Sequence, residues 1–214
     1  MIRHTRCLSL AVVGATFGVL VAGNARAATN AAAAYQQSYV LEAQQDYNGA
    51  LAALLSAPSA ERNEYVYQLR SGWLCLLAGR YDDSVVAYRR AIGQAAGAVE
   101  PRLGLLLPLM AAHRWQDAVS EAEALLRLDA KSYLGRSRLA FALYSLGRFA
   151  AAESVYRAVL ADYPADVEML SGLGWAQLGQ ERRAEATRTF RAVLAFAPQT
   201  PSALEGHSRA NGAK

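Results

Sequence analysis

Residues 167–200 read VEMLSGLGWAQLGQERRAEATRTFRAVLAFAPQT, and their pattern predicts two consecutive helices of about 12 to 15 residues each. In the second half, Ala186, Phe190 and Val193 follow one another at steps of four and three residues, which places them on one face of a helix. Ala, Leu and Arg, which favour helix, are frequent throughout. Pro198 marks the end of the pattern, because proline is tolerated at a helix start and not inside a helix.

The same pattern recurs along the chain every 34 residues without an insertion. The position that opens the second half of each unit is bulky in four units and an arginine in the fifth: Tyr47, Tyr81, Trp115, Phe149 and Arg183. Three residues later every unit has a small residue: Ala50, Ser84, Ala118, Ala152 and Ala186. We therefore predict one repeat domain over residues 28–200, made of the units 31–64, 65–98, 99–132, 133–166 and 167–200. Residues 201–214 would form a short tail or a partial capping helix.

Glycine and proline mark where the predicted helices end. Gly79 and Gly147 lie at the turn between the two helices of their units, where a residue at positive φ can end the first helix. Pro164 and Pro198 mark the boundaries between units. Pro108 falls within the first helix of the third unit and removes a backbone hydrogen bond, so we expect a kink or a short irregular turn there.

Small residues in the first helices predict close contacts between helices. A helix approaches its neighbour closely only where one side chain is reduced to Gly, Ala or Ser. We expect Gly72, Ala140 and Gly174 to meet the Ala and Ser series of the second helices.

A helix-turn-helix unit of this length, with small, aromatic and proline positions at these offsets, resembles the tetratricopeptide repeat. The residues that carry the resemblance are Leu170, Leu173, Gly174, Ala186, Phe190 and Pro198 in the fifth unit, and Leu139, Ala140, Ala152, Tyr156 and Pro164 in the fourth. The earlier units depart from it, with Arg62, Ala96 and Ala130 in place of the boundary proline and Leu106 in place of a small residue. The resemblance implies an all-α fold, a right-handed superhelical array (an α-solenoid) of about five such units.

The resemblance also implies a binding site, because such repeats use the concave face of the first helices to hold a peptide or a helix of a partner. The matching positions here are Tyr39, Trp73, Leu107, Phe141 and Trp175, with Tyr144 one turn beyond Phe141 and with Arg70 and Arg138 beside them. Family members that bind a peptide carboxylate carry Asn and Lys at such sites, and this chain has neither there. The alternative is that these rings are core packing between adjacent helices.

Residues 1–27 have the three parts of a secretory signal peptide. Arg3 and Arg6 form the basic end, residues 8–22 carry no charge, and Ala25 and Ala27 supply the small residues of a cleavage site. This predicts a periplasmic or secreted protein, and the alternative is a membrane anchor formed by an uncleaved signal. Cleavage would remove three of the 22 basic residues and leave 19 against 18 acidic ones, a formal net charge near +1.

The remaining charge does not favour nucleic acid as a partner. Four arginines form a series at the 34-residue spacing, Arg80, Arg114, Arg148 and Arg182. Each falls just after the first helix of its unit, where the helix dipole favours a cation. Units one and three carry a net negative charge and units two, four and five a net positive one, so no continuous basic stripe is present to follow a polyanion.

The sequence shows no set of residues that would converge on a catalytic site. His113 and His207 lack a His or Cys partner at metal-ligand spacing, and no phosphate-binding or nucleophile-elbow motif occurs. We therefore predict a protein without enzymatic activity or cofactor that scaffolds an envelope or secretion complex through protein-protein interaction in its concave groove. The alternative is an accessory module that binds glycan in exopolysaccharide secretion. Self-association into a homo-oligomer through an apolar end of the last unit is also expected.

Overall fold

The computed structural model describes residues 30–212, which contain α-helices, one 3-10 helix and no strand. These residues fall into two compact units, one ending at Tyr67 and one beginning at Gln68. The first unit contains α1 (residues 30–43), α2 (Tyr47–Leu55) and the 3-10 helix Glu61–Asn63. Asp46 caps α2 by accepting a hydrogen bond from the Gly49 amide at 2.8 Å. The predicted signal peptide lies outside the described residues.

The second unit consists of consecutive helices, and from the second of them onward each packs against the next along the chain. They are α3 (Tyr65–Leu77, which begins in the first unit), α4 (Tyr81–Gln94), α5 (Glu100–Ala111), α6 (Trp115–Leu128), α7 (Tyr133–Ser145), α8 (Phe149–Asp162), α9 (Val167–Gly179), α10 (Arg183–Phe196) and α11 (Pro201–Ala210). Five consecutive helix pairs therefore precede α11, which confirms the all-α repeat array predicted from the 34-residue period. Between residues 30 and 212 no helix combines the length and the apolar character that a membrane span needs.

The turn inside each helix pair holds one residue in the left-handed backbone region. Gly79 and Gly147 have φ of 72° and 73°, as their sequence positions predict. The same position in the other three pairs is held by residues with a side chain: Gln45, His113 and Glu181, at φ of 62°, 55° and 63°. The following amide then donates back to the preceding helix, as Arg148 N–H does to the Leu143 carbonyl at 2.9 Å. This hydrogen bond closes the end of the first helix.

The structure does not form the irregular turn expected at Pro108. The helix α5 runs through Pro108 without interruption from Glu100 to Ala111. Pro108 lies in the last turn, so the helix loses a single hydrogen bond near its end. The Pro108 carbonyl still accepts from the Ala112 amide at 2.9 Å, which completes that turn.

Glycines of the first helices face aromatic rings of the second helices, so the expected packing of small residues against small residues holds only in part. A Cβ atom on Gly72 would lie 2.9 Å from the Tyr88 ring, and Gly104 faces the same ring. A Cβ on Gly174 would lie 2.6 Å from Phe190, which Gly206 of α11 also faces. The Ser84 hydroxyl, which donates to the Gly72 carbonyl at 2.7 Å, does follow the expected pairing.

Candidate functional site

An apolar groove of about 570 Å³ lies in the second unit along the first helices α5, α7 and α9 and the start of α11. We call it the main groove and define it by Met110, Arg138, Phe141, Tyr144, Met169 and Trp175. The helices that carry these side chains begin at fixed caps. The Ser132 hydroxyl accepts from the Gly135 amide at 3.2 Å to start α7, and the Asp166 carboxylate accepts from the Met169 amide at 2.9 Å to start α9.

The spacing of residues on α7 divides it between the core and the groove. Arg138, Phe141 and Tyr144 follow one another at three-residue steps and line the main groove. Leu139 and Leu143, on the other side of the same helix, belong to the buried core of the unit. Because residues three and four apart share a helical face, the groove residues of α7 present a continuous surface.

Phe141 is the ring of this helix that projects furthest into solvent, with 45% of its surface exposed. Its ring packs edge-on against Trp115 of α6, with 5.7 Å between ring centroids. This contact fixes one edge of the ring and leaves much of its apolar surface accessible in the groove. Phe141 is therefore a groove residue and not a core residue.

Trp175 of α9 occupies the position that corresponds to Phe141 in the next helix pair. Unlike Phe141, it is contacted by several side chains. Its ring packs edge-on against Phe190 at 5.6 Å between centroids, and its Nε1 donates to the Ser202 hydroxyl at 2.8 Å. The Arg209 guanidinium lies 5.5 Å from its ring centroid, a cation-π distance. Trp175 is thus half-buried and closes one end of the main groove.

A second depression of about 270 Å³, the side groove, lies between α3, α5 and α7. It is defined by Leu69, Trp73, Leu103, Leu107, Leu134 and Arg138. Trp73 is 37% exposed there. Leu134 and Arg138 line both grooves, so the side groove and the main groove meet at these two residues of α7.

Arg138 is the cation at this junction. Its Nη1 donates to the Leu103 carbonyl of α5 at 2.8 Å, which fixes the guanidinium between the helices. Burial lowers the pKa of Arg138 from its ordinary value, and the nearby Tyr88 hydroxyl opposes that effect. Since arginine remains charged under all ordinary conditions, a positive charge is held in partly apolar surroundings.

The predicted site residues therefore divide into three sets. Phe141, Tyr144, Trp175 and Arg138 come together in the main groove, and Trp73 and Leu107 join Arg138 in the side groove. Tyr39 lies on α1 in the first unit, where it is 57% exposed. Arg70 is only 6% exposed on α3 and lines neither of these grooves.

Several residues of the main groove were not predicted from the sequence. Tyr133 and Tyr156 contribute rings from outside the expected positions, and Ser202 comes from α11. The Tyr133 hydroxyl donates to the Asp166 carboxylate at 2.7 Å, and this hydrogen bond, with a smaller effect of burial, raises the pKa of Tyr133 to about 12. The recurrence of a tyrosine at the start of α3 and α7 was the available sequence signal for Tyr133.

The described part of the chain holds no group of three or more His, Cys, Asp or Glu side chains placed to hold a metal ion. The polar groups of the main groove are instead hydroxyls, Arg138 and the Glu168 carboxylate at the start of α9. Such a surface suits recognition of a polymer with apolar side chains or rings.

Comparison with known proteins supports the resemblance of this chain to the tetratricopeptide repeat family. The family model for tetratricopeptide repeats matches residues 143–208. The structure of YrrB, described as a TPR protein with an unusual peptide-binding site, has a TM-score of 0.71 at 16% identity over 89% of this chain and 96% of its own. A MamA structure has a TM-score of 0.70 at 17% identity, covering 78% of this chain and 91% of its own.

A thermophilic TPR protein of Thermus thermophilus is similar over 83% of this chain and 97% of its own, with a TM-score of 0.59 at 16% identity. No curated protein matches the sequence. At these identities the solved structures show the fold, which is that of a tetratricopeptide repeat array.

Proposed function

We propose that this chain is a non-enzymatic interaction module that binds a peptide segment of a partner protein in the main groove. The observation that carries the proposal is Phe141, an aromatic ring 45% exposed on the groove face of α7, in a groove whose other walls are largely apolar. A partner that covers such a ring removes apolar surface from water, which drives association. YrrB, with the same fold, is described as having a peptide-binding site, which supports this class of ligand.

The main groove also has the composition of a recognition surface. Tyr144, Trp175 and Arg138 surround Phe141, and aromatic residues and arginine dominate the energetics of protein interfaces. Met110 and Met169 add flexible apolar side chains that adapt to different partners. Affinity is expected to concentrate on Phe141 and the rings beside it.

We further propose that the protein acts in the periplasm, as a scaffold of an envelope or secretion complex. This rests on the signal-like residues 1–27, whose apolar run of 15 residues is shorter than the roughly 20 that a transmembrane helix needs. The mature chain would be close to neutral, so its binding would depend on apolar contacts more than on net charge.

Glycan binding is the second candidate function. The main groove brings Tyr133, Tyr144 and Trp175 together with the hydroxyls of Ser137 and Ser171. Flat rings next to hydrogen-bonding groups also suit the faces and hydroxyls of a sugar. This candidate would place the protein in polysaccharide secretion.

Replacing Phe141 by alanine tests the main groove directly. Burial of a phenylalanine side chain contributes about 1.5 to 3 kcal/mol, so Phe141→Ala should weaken peptide binding by roughly tenfold to a hundredfold. The probe is a set of fluorescent peptides selected from a random decapeptide library on the full chain, with anisotropy as the measurement. Circular dichroism should show the same helix content as the unmodified protein.

The matched control is Phe196→Ala, because Phe196 is 53% exposed near the end of α10 and does not line the main groove. This control should leave peptide affinity unchanged. Equal loss in both variants would exclude the main groove as the binding site. Binding of envelope oligosaccharides with no peptide selected would favour the glycan candidate instead.

A further inference from the structure

We propose that the peptide bound in the main groove continues into the side groove and places an internal Asp or Glu side chain against Arg138, with bulky apolar side chains on both sides. This inference rests on the proposed function and specifies the chemistry of the partner. It is carried by the position of Arg138, by its hydrogen bonding and by the two apolar depressions that meet there.

The first observation is that Arg138 lacks the acidic partner that comparable arginines of the second unit have. Arg102 of α5 pairs with Glu121 at 2.6 Å, and Arg136 of α7 pairs with Asp162 at 2.8 Å, although both side chains are largely buried. Among residues 30–212 no carboxylate forms an ion pair with Arg138, whose hydrogen bond goes to a neutral carbonyl. A desolvated cation is costly unless it is paired, so an arriving carboxylate would offset that cost.

The second observation is where the guanidinium lies. Arg138 lines the main groove together with Phe141 and lines the side groove together with Trp73. A peptide that fills both depressions must pass Arg138 in mid-chain. The carboxylate that meets Arg138 therefore belongs to a side chain, since a C-terminal carboxylate would end the peptide at the junction and leave one groove empty.

The third observation concerns the other charges of the two grooves. Glu100 lies at the start of α5 in the side groove, and Glu168 lies at the start of α9 in the main groove. A carboxylate of the peptide would be repelled near Glu168 and attracted near Arg138. These two charges thus favour one register for a peptide with a single acidic residue.

The apolar parts of the grooves define what flanks that acidic residue. On one side Trp73, Leu103 and Leu107 offer a surface for one bulky apolar side chain. On the other side Phe141, Met110 and Trp175 offer a larger one. The expected ligand is a short segment with an acidic centre and apolar or aromatic neighbours.

The test uses three libraries of eleven-residue peptides that carry Glu, Gln or Lys at the central position and Leu, Phe, Ala or Ser elsewhere. The peptides are acetylated and amidated, so they have no terminal charge. Anisotropy titration against the full chain should show the Glu library binding at least tenfold more tightly than the Gln library, and the Lys library most weakly. Arg138→Met should abolish the difference between Glu and Gln.

The matched control is Arg191→Met, which removes the same charge from an exposed position of α10 outside both grooves. It should leave the preference for Glu intact. A fourth library, with central Gln and a free C-terminal carboxylate, tests whether the carboxylate that meets Arg138 comes from the end of the peptide. Tighter binding of this library than of the Glu library would overturn the assignment of an internal side chain.

The outcomes separate this inference from the proposed function. If all libraries bind equally and Phe141→Ala weakens them all, the main groove is the binding site and the role of Arg138 is wrong. If no library binds, or Phe141→Ala has no effect, the proposed function itself is wrong. If the Arg138→Met variant does not fold, as judged by circular dichroism, the comparison of the Glu and Gln libraries on the unmodified chain still tests the proposal. Equal binding of the two libraries there would contradict it.

Discussion

At the scale of single residues, the turns show how a repeat keeps its geometry when its sequence changes. Gly79, Gly147 and Glu181 occupy the same offset of their units and share φ values between 63° and 73°. A left-handed conformation costs an L-residue about 1 to 2 kcal/mol, whereas glycine adopts it without this penalty. The packing of the two helices and the hydrogen bond that closes the first one hold Glu181 in place against this cost.

Replacing Glu181 by glycine should therefore stabilise the protein. We expect a gain in the free energy of unfolding of up to about 1 kcal/mol, because relief of backbone strain exceeds the added freedom of the unfolded chain. Urea unfolding followed by circular dichroism measures it. Glu181→Ala, which keeps a Cβ, is the control and should change stability little, whereas Gly147→Ala should lower it by about 1 kcal/mol. Equal effects of the glycine and alanine replacements would contradict the backbone explanation.

At the scale of helices, rings of the second helices fix the distance to their neighbours. Phe190 of α10 is fully buried between Gly174 of α9 and Gly206 of α11. Because both glycines lack a Cβ, the two helices approach the ring closely, and α11 covers it on the C-terminal side. The predicted tail residues from Pro201 thus complete the core around Phe190.

Adding one methyl group at Gly206 should disturb this packing. The new Cβ of Gly206→Ala would overlap the Phe190 ring, and overpacking of this kind costs about 1 to 3 kcal/mol. Thermal unfolding should show a lower midpoint. The control is Gly93→Ala on α4, where a Cβ would meet nothing within 4 Å and should raise helix stability by about 0.5 to 1 kcal/mol. A midpoint unchanged by Gly206→Ala would mean that α11 does not hold Phe190 as described.

At the level of the whole molecule, the sequence divides into a predicted export signal and a repeat array, which differ in the sequence features that define them. Charge and the shortness of the apolar run characterise residues 1–27, whereas periodic packing characterises the helices from residue 30 onward. The basic surplus of the full chain belongs mostly to the first part. Partner recognition by the repeat array is therefore expected to depend on the grooves and not on net charge.

Export can be tested by sequencing the N-terminus of the protein from fractionated cells. Cleavage after Ala27 should give a chain that begins at Ala28 in the periplasmic fraction. Ala25→Leu replaces a small residue that the cleavage site needs, so it should leave the uncut chain in the membrane fraction. An uncut unmodified protein in the membrane fraction would instead identify residues 1–27 as an anchor.

The 34-residue period was sufficient to predict the helix pairs and the all-α array, because helix formation and face-to-face stacking depend on spacing and residue size. It also predicted the left-handed turns at Gly79 and Gly147, because glycine at a turn between helices favours that conformation. It placed His113 and Glu181 at the same turn between helices but did not predict their left-handed conformation. There no glycine marks the conformation, and the hydrogen bond that closes the first helix accompanies it, from Arg114 N–H to the Leu109 carbonyl at 2.8 Å and from Arg182 N–H to the Gln177 carbonyl at 3.0 Å.

The 34-residue spacing was enough to predict which residues could form an aromatic stripe, since Phe141 and Trp175 share one offset of the repeat. The surroundings of these two rings depend on helices that the fold brings next to them. The helix α11 supplies Ser202 and Arg209 to Trp175, whereas Phe141 keeps an open groove face. In the same way Arg138 is placed at the junction by a carbonyl 35 residues earlier in the chain. Periodicity fixes which face of a helix a side chain occupies, but exposure depends on the neighbours that the rest of the chain brings to that face.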